Sequence, residues 1–361
     1  MDAITYGIRD IVPSYATIDE GALLLIEESN KTFNGILQSV GIAELQSFEE
    51  SGDVVVYEAG GEKIKTIINK IVEWLKKTFE EFKGWLDKQL SKMQTKVNEF
   101  KDKVKDKRTD RLSKMAARLV DKDKEGKVKT FGKTYEYKNL EAMMNVNGTV
   151  WKDIIGYTLI VRSDFNKAKD MRSEINADEL ASAFDDQKKK IIKNIDATFN
   201  QNLLTNPAPL QMMIKEYIRG KEIDIDKAYI QNNINDMVAY SFDFSKSKNA
   251  VKKVYNGLKK DFDSDIKEIN KYKNDAVAFN NLTKYLSYLK WGKNVAIAAG
   301  TATVSCMWEK VFKDMTIVLR LHVAAKQKEE KEAKAESKPA NESAVIEPTS
   351  FQTELASLFN F

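Results

Sequence analysis

Ile64, Ile68, Ile71, Leu75, Phe79, Phe82, Leu86, Leu90, Met93, Val97, Phe100 and Val104 form the pattern that most constrains this chain. They cross forty residues in eleven steps, or 3.64 residues per step. That spacing is the period of a straight α-helix rather than the 3.5 of a left-handed coiled coil. Ile67, Trp74 and Trp85 widen the stripe on one flank. An unbroken helix of this extent is about 60 Å long at about 1.5 Å per residue. Gly84 is the one point where it could kink. A rod with one apolar face must cover that face with other protein, from the same chain or from a partner.

The rest of the chain fits a helical class. Gly and Pro number 16 and 5 in 361 residues, roughly half of ordinary usage, which disfavours a turn-rich β-sandwich. One cysteine, Cys306, excludes an internal disulfide and a Cys-rich metal site. One histidine, His322, excludes two-His metal sites and leaves a Ser-His-Asp set only if His322 is its base. Both sit in apolar surroundings that suit a structural role. No phosphate-cradling glycine pattern occurs around Gly60-Gly61. No cofactor and no small-molecule substrate are expected, and the chain reads as non-enzymatic.

Two acidic runs resemble calcium loops in part. Asp121, Asp123 and Glu125 precede Gly126, but Gly132 stands where the bidentate glutamate is required. Asp261, Asp263 and Asp265 lack both the glycine and the glutamate, and Phe262 among them belongs to a core stripe. Neither run is a metal site on this pattern.

Charge is polarised along the chain. Residues 1–62 carry 2 basic and 12 acidic side chains, and residues 63–133 carry 22 basic and 11 acidic ones. The second segment could meet nucleic acid or an anionic membrane weakly, or its lysines could simply be solvated. It is Lys-rich and Arg-poor, which weakens phosphate recognition by bidentate forks. Trp74, Phe79, Phe82 and Trp85, interleaved with Lys76, Lys77, Lys83 and Lys88, suit either a protein partner or an anionic surface. The N-terminal residues show no secretory signal. The longest uncharged apolar run, Val295–Trp308, has 14 residues, short of the roughly 18–20 that span a bilayer, so it is expected as a core helix.

Along the chain, residues 1–60 read as short acidic helices broken at Gly21, Gly35 and Gly41, followed by a short strand, Val54–Tyr57. Residues 61–120 carry the long basic helix. Residues 121–162 form a small β element, with a hairpin about Phe131-Gly132-Lys133 and a strand over Tyr157–Val161. Residues 163–325 form a helical bundle, interrupted by the turn at Asn206–Pro209. Residues 326–349 are a polar tether too poor in apolar groups to fold alone. Residues 350–361 form a docking peptide in which Phe351, Leu355, Leu358 and Phe359 share one helical face. The fold class expected is mainly α, an α+β chain with a long amphipathic helix, a helical bundle and a small β-hairpin or sheet.

The order of features carries a resemblance. The acidic segment ending in DVVVYEAGGEK, the aromatic Lys-rich helix IVEWLKKTFEEFKGWL, the Tyr-rich FGKTYEYKNL and a helical C-terminal half resemble the layout of internal or capsid-associated virion proteins of large tailed bacteriophages. The resemblance implies a multi-copy structural protein of the particle, assembled in the host cytoplasm and bound to other virion proteins. It carries no site residues over. In such particles an N-terminal segment can be removed by a maturation protease, and Tyr57-Glu58-Ala59-Gly60 is the matching point. Partner contact is expected at Trp74, Phe79, Phe82, Trp85, Phe351, Leu355, Leu358 and Phe359. A membrane-active helical protein (pore-forming or ejection-type) and a packaged nucleic-acid-associated protein stand as alternatives.

Overall fold

A computed structural model describes residues 15–39, 61–104, 132–145, 207–271 and 279–336, with the isolated positions 112, 148, 151, 182, 183, 186 and 273. In chain order the elements are α1 (Tyr15–Ser39), α2 (Gly61–Lys103), β1 (Lys133–Tyr135), α3 (Leu140–Met144), α4 (Pro207–Arg219), β2 (Glu222–Asp224), α5 (Lys227–Phe242), α6 (Phe244–Asn270) and α7 (Phe279–Glu336). The described chain is mainly helical with one two-stranded antiparallel sheet, the fold class expected.

α2 forms as its period predicts. Ile68, Ile71, Leu75, Phe82, Leu86, Met93 and Val97 are all buried, while Lys76, Lys77, Asp87 and Lys88 are exposed. The helix runs through Gly84 without a break. α1 corrects the expectation of short helices, since one 25-residue helix passes through both Gly21 and Gly35. Its apolar face overrides the cost of about 1 kcal/mol that a helical glycine carries. Phe33 lies on Trp74, ring centroids 4.6 Å apart. The Trp74 Nε1–H donates to the Ser29 carbonyl at 2.9 Å, and the Ser29 and Thr78 hydroxyls bond at 2.7 Å. As α1 positions rise the matching α2 positions fall, so the two helices are antiparallel.

α7 is the axis of the fold. Its apolar run is sheathed on all sides: Val295, Ile297, Ala298, Ala299, Ala302, Cys306 and Trp308 are each no more than 2 % exposed. They share one core with α1, α2, α4 and α6. The expectation of a core helix holds, and no helix among the described residues is long and apolar enough to cross a membrane. Further along α7, Val311, Val318 and Leu321 join Val97 and Phe100 of α2 and Ile230, Ile234 and Met237 of α5 in a second cluster. Gly300 sits where α7 packs tightly against α6 and α2. A Cβ placed there would meet Leu258 Cδ1 and Phe82 Cζ, both at 3.0 Å.

The sheet is present, but its pairing is not local. β1 pairs with β2, Lys133 opposite Asp224 and Tyr135 opposite Glu222. Residues 121–131 and 152–162, on which the remaining hairpin and strand expectations fall, lie outside the described residues, as does Val54–Tyr57. Gly220 explains the arrangement. It follows α4 with φ of +64°, a left-handed cap that glycine adopts at little cost and that turns the chain into β2. α4 begins at Pro207 rather than after the turn, because proline is tolerated in a first helical turn where its missing N–H has no partner to lose. A single residue, Asp243, joins α5 to α6, its carboxylate accepting from the Ser245 N–H at 2.9 Å.

Candidate functional site

The sites expected from sequence fall into two groups. Trp74, Phe79, Phe82 and Trp85 are between 0 and 9 % exposed and belong to the chain's own core. Phe79 meets Phe262 at 5.5 Å between centroids, and Phe82 stacks near Trp85 at 6.2 Å. The cover this stripe requires is supplied from within, by α1, α6 and α7, so in this fold the four aromatics offer no surface to a partner. The physical reason lies in α7, whose uncharged run fits the apolar channel that α2 helps to line. Phe351, Leu355, Leu358 and Phe359 lie outside the described residues.

The charged groups buried along α7 are the chemistry that the structure does bring together. Lys293 is 0 % exposed. Its Nζ donates to Asp261 Oδ2 at 2.5 Å and contacts Asp265 closely, with the Phe262 ring 4.3 Å away. Asp261 and Asp265 lie one turn apart on α6, so one lysine answers both. Burial opposes the charge on Lys293, but the two carboxylates outweigh it and raise the pKa above the ordinary lysine value. A lysine held protonated in this way has no lone pair with which to attack a carbonyl.

A second set lies at the other end of the apolar run. Glu309 is 5 % exposed and takes Arg219 Nε at 2.8 Å, a second Arg219 nitrogen, and Lys215 Nζ at 3.3 Å. This is a two-pronged guanidinium–carboxylate pair, the geometry that makes such contacts strong. Burial opposes the Arg219 charge, but Glu309 outweighs it and shifts the pKa upward. The Arg219 guanidinium also lies 5.1 Å from the Tyr135 ring, tying β1 to the same point. Between the two sets Gln211 donates to the Thr301 hydroxyl at 3.2 Å. Lys293 and Glu309 are 16 positions apart, about 24 Å along the helix.

A third group belongs to the α5 side. Lys310 donates to the buried Asp314 at 2.7 Å and lies 4.6 Å from the Tyr240 ring. Burial raises the Asp314 pKa against the opposing pull of Lys310. The Tyr229 hydroxyl is pushed up to about 12 by burial and by Asp314. Cys306 and His322 are both buried, 0 and 3 % exposed, where the sequence placed them as structural residues. Among the described residues no group of three or more His, Cys, Asp or Glu could hold a metal ion. The ion pairs join α7 to α6 and to α4 at fixed levels, and a shift of one turn on either helix would strand a buried charge. Their chemistry is therefore that of register.

Sequence reasoning missed these sets. One signal was present: Asp261 and Asp265 fall within the stripe of Leu258, Phe262 and Ile269, and a carboxylate on an apolar face needs a buried cation. Nothing in the sequence indicated that Lys293 was that cation. No protein-family model, curated protein or solved structure matches the chain.

Proposed function

We propose that this chain is a non-enzymatic structural protein, a rigid helical body that works by assembling with other proteins in several copies. The observation that carries the proposal is the engagement of buried Lys293 and Glu309 with partners on α6 and α4, across a dry apolar helix. Charges placed this way lock two helices in register against a third, which serves stiffness and shape. The helices themselves supply reach, with 43 residues in α2 and 58 in α7, or about 65 and 87 Å. The setting we propose is the one implied by the layout resemblance, a tailed-phage particle, with the body packed among other virion proteins.

Mass spectrometry of purified particles encoded by the genome that carries this chain tests the proposal. Recovery of the chain in a fixed, multi-copy ratio to the major capsid protein is the expected result. Its absence from intact particles, with the protein present in the lysate, refutes the virion setting. A vesicle-leakage assay separates this proposal from a membrane-active role: the folded chain should release no entrapped dye, and dye release at micromolar protein would overturn the assembly proposal in favour of membrane activity.

A further inference from the structure

We propose that the outer face of α6 is an interface for a nucleic-acid double helix, gripping the phosphate backbone without regard to base sequence. The segment 244–271 has eight lysines and four acids, which looks like a modest excess until burial sorts them. Asp261 and Asp265 point inward to Lys293. Glu268 is buried and bonded to Lys271 at 2.8 Å, and Asp263 is paired with Lys259 at 2.5 Å. The acids are thus spent inside or neutralised. Lys246, Lys248, Lys252, Lys253, Lys260 and Lys267 are all exposed.

On a helix these positions fall on the arc opposite the buried Val251, Val254, Leu258 and Phe262. They extend over 21 positions, about 32 Å, close to one turn of a duplex at about 34 Å. The neighbouring α2 is different. Its exposed Lys76, Lys77, Lys88 and Lys92 are interspersed with exposed Glu73, Glu80 and Asp87, so its field largely cancels. Among the described residues the unbalanced basic face is therefore on α6 rather than on the exposed surface of α2.

Three features select a duplex among polyanions. The exposed large hydrophobic side chains among the described residues are Leu24 and Met212, on α1 and α4. The α6 face therefore has no wedge to enter a bilayer, which interfacial helices need. It also presents no exposed aromatic ring on which unpaired bases could stack. Its cations are all lysines, point charges that match phosphates but lack the fork that reads guanine. The interface is independent of whether the chain is built into a particle.

Fluorescence anisotropy of the full chain with a labelled 30-base-pair duplex of mixed sequence tests the proposal. Binding is expected at about 10⁻⁴–10⁻⁶ M near physiological salt, falling linearly on a log–log salt plot. The variant K248Q/K252Q/K253Q/K260Q should weaken binding at least tenfold and flatten the slope by about 3–4, near 0.9 for each phosphate no longer neutralised. Its melting temperature should equal that of wild type, because all four side chains are exposed. The double variant K252E/K253E gives the same readout from two sites. The matched α2 variant, K76Q/K77Q/K88Q/K92Q, should bind as wild type does. Absence of duplex binding at 50 mM salt, or equal losses in the α2 and α6 variants, would overturn the inference. So would tighter binding to a single strand of equal length, or to vesicles containing about one-third phosphatidylserine that the duplex fails to displace.

Discussion

Replacing Lys293 by methionine removes the buried cation that pairs with both Asp261 and Asp265, and leaves two carboxylates in a site that is 6 % and 0 % exposed. Breaking a buried pair from one side costs about 3–5 kcal/mol, because the remaining charge is stranded. Natural chains hold only about 5–15 kcal/mol in total, so K293M should lose a large part of its stability. At about 2 °C per kcal/mol, the low end of the range for larger chains, the melting temperature drops by about 6–10 °C. Far-UV circular dichroism during urea and thermal unfolding reads this directly. The pH dependence supplies the diagnostic. Without the lysine, burial raises both carboxyl pKa values above the unfolded value of about 3.9. The variant therefore regains stability as pH falls towards that value, and its deficit is smaller at pH 5 than at pH 8. In the wild type the Lys293 pKa is raised. Its contribution is intact below the ordinary lysine value of about 10.4 and disappears only as pH rises beyond it. The triple variant K293M/D261L/D265L should recover most of the loss, since an apolar replacement of a buried ion set is often neutral or better. A single variant within about 1 kcal/mol of wild type, or a triple variant no more stable than the single, would refute the assignment of this triad as a buried register lock.

Gly84 of α2 and Gly300 of α7 should respond in opposite directions. Nothing lies within 4 Å of a Cβ at Gly84, so Gly84→Ala should raise stability by about 0.5–1 kcal/mol, whereas Gly300→Val should cost about 1–3 kcal/mol against Leu258 and Phe82; differential scanning calorimetry checks both. Phe82→Asp should cost several kcal/mol, about 4 or more, by bringing an unpaired charge into a site with 0 % exposure, and a wild-type urea midpoint would contradict it. Asp314→Asn removes a buried carboxyl whose pKa is raised by burial; because wild-type Asp314 disfavours the fold as pH rises through that value, the variant's stability relative to wild type should improve from pH 4 to pH 8. Asp243→Ala removes the cap shared by α5 and α6, with an expected cost of about 1 kcal/mol. Its carboxyl is held below the usual range by Ser245, so the difference from wild type should fade as pH falls below about 4.

The long-range order of the fold was legible where one period persisted. α2 could be read from its twelve-residue stripe, and the core of α6 from Val251, Val254, Leu258, Phe262 and Ile269. α7 was anticipated as a buried helix from a run too short for a membrane. The breaks expected at Gly21 and Gly35 were wrong because glycine lowers helix propensity by an amount that tertiary burial of Ile26 and Phe33 exceeds. The partner of β1 could not be read, since β2 is three residues long and carries only Ile223 as an apolar signal. The basic face of α6 was hidden for a different reason. Counting charges along a chain cannot tell an acid that faces a buried lysine from one that faces water.

The position of α7 in the chain has a consequence for synthesis. Ile71 and Val295 share one core, yet they are 224 residues apart. At ribosomal rates of about 5–20 residues per second, the interval between them is about 11–45 s. Through that time the aromatic stripe of α2 has its α1 cover but lacks the axial helix that fills the channel. A nascent chain in this state presents Phe82, Leu86 and Met93 to solvent, which makes it a client for chaperones that hold exposed apolar surface. Refolding from denaturant faces the same delay in another form, as the distant pairing must be found by diffusion before the core closes. Yield on dilution should therefore fall with protein concentration, and co-expression of a holding chaperone should raise the soluble fraction made in cells.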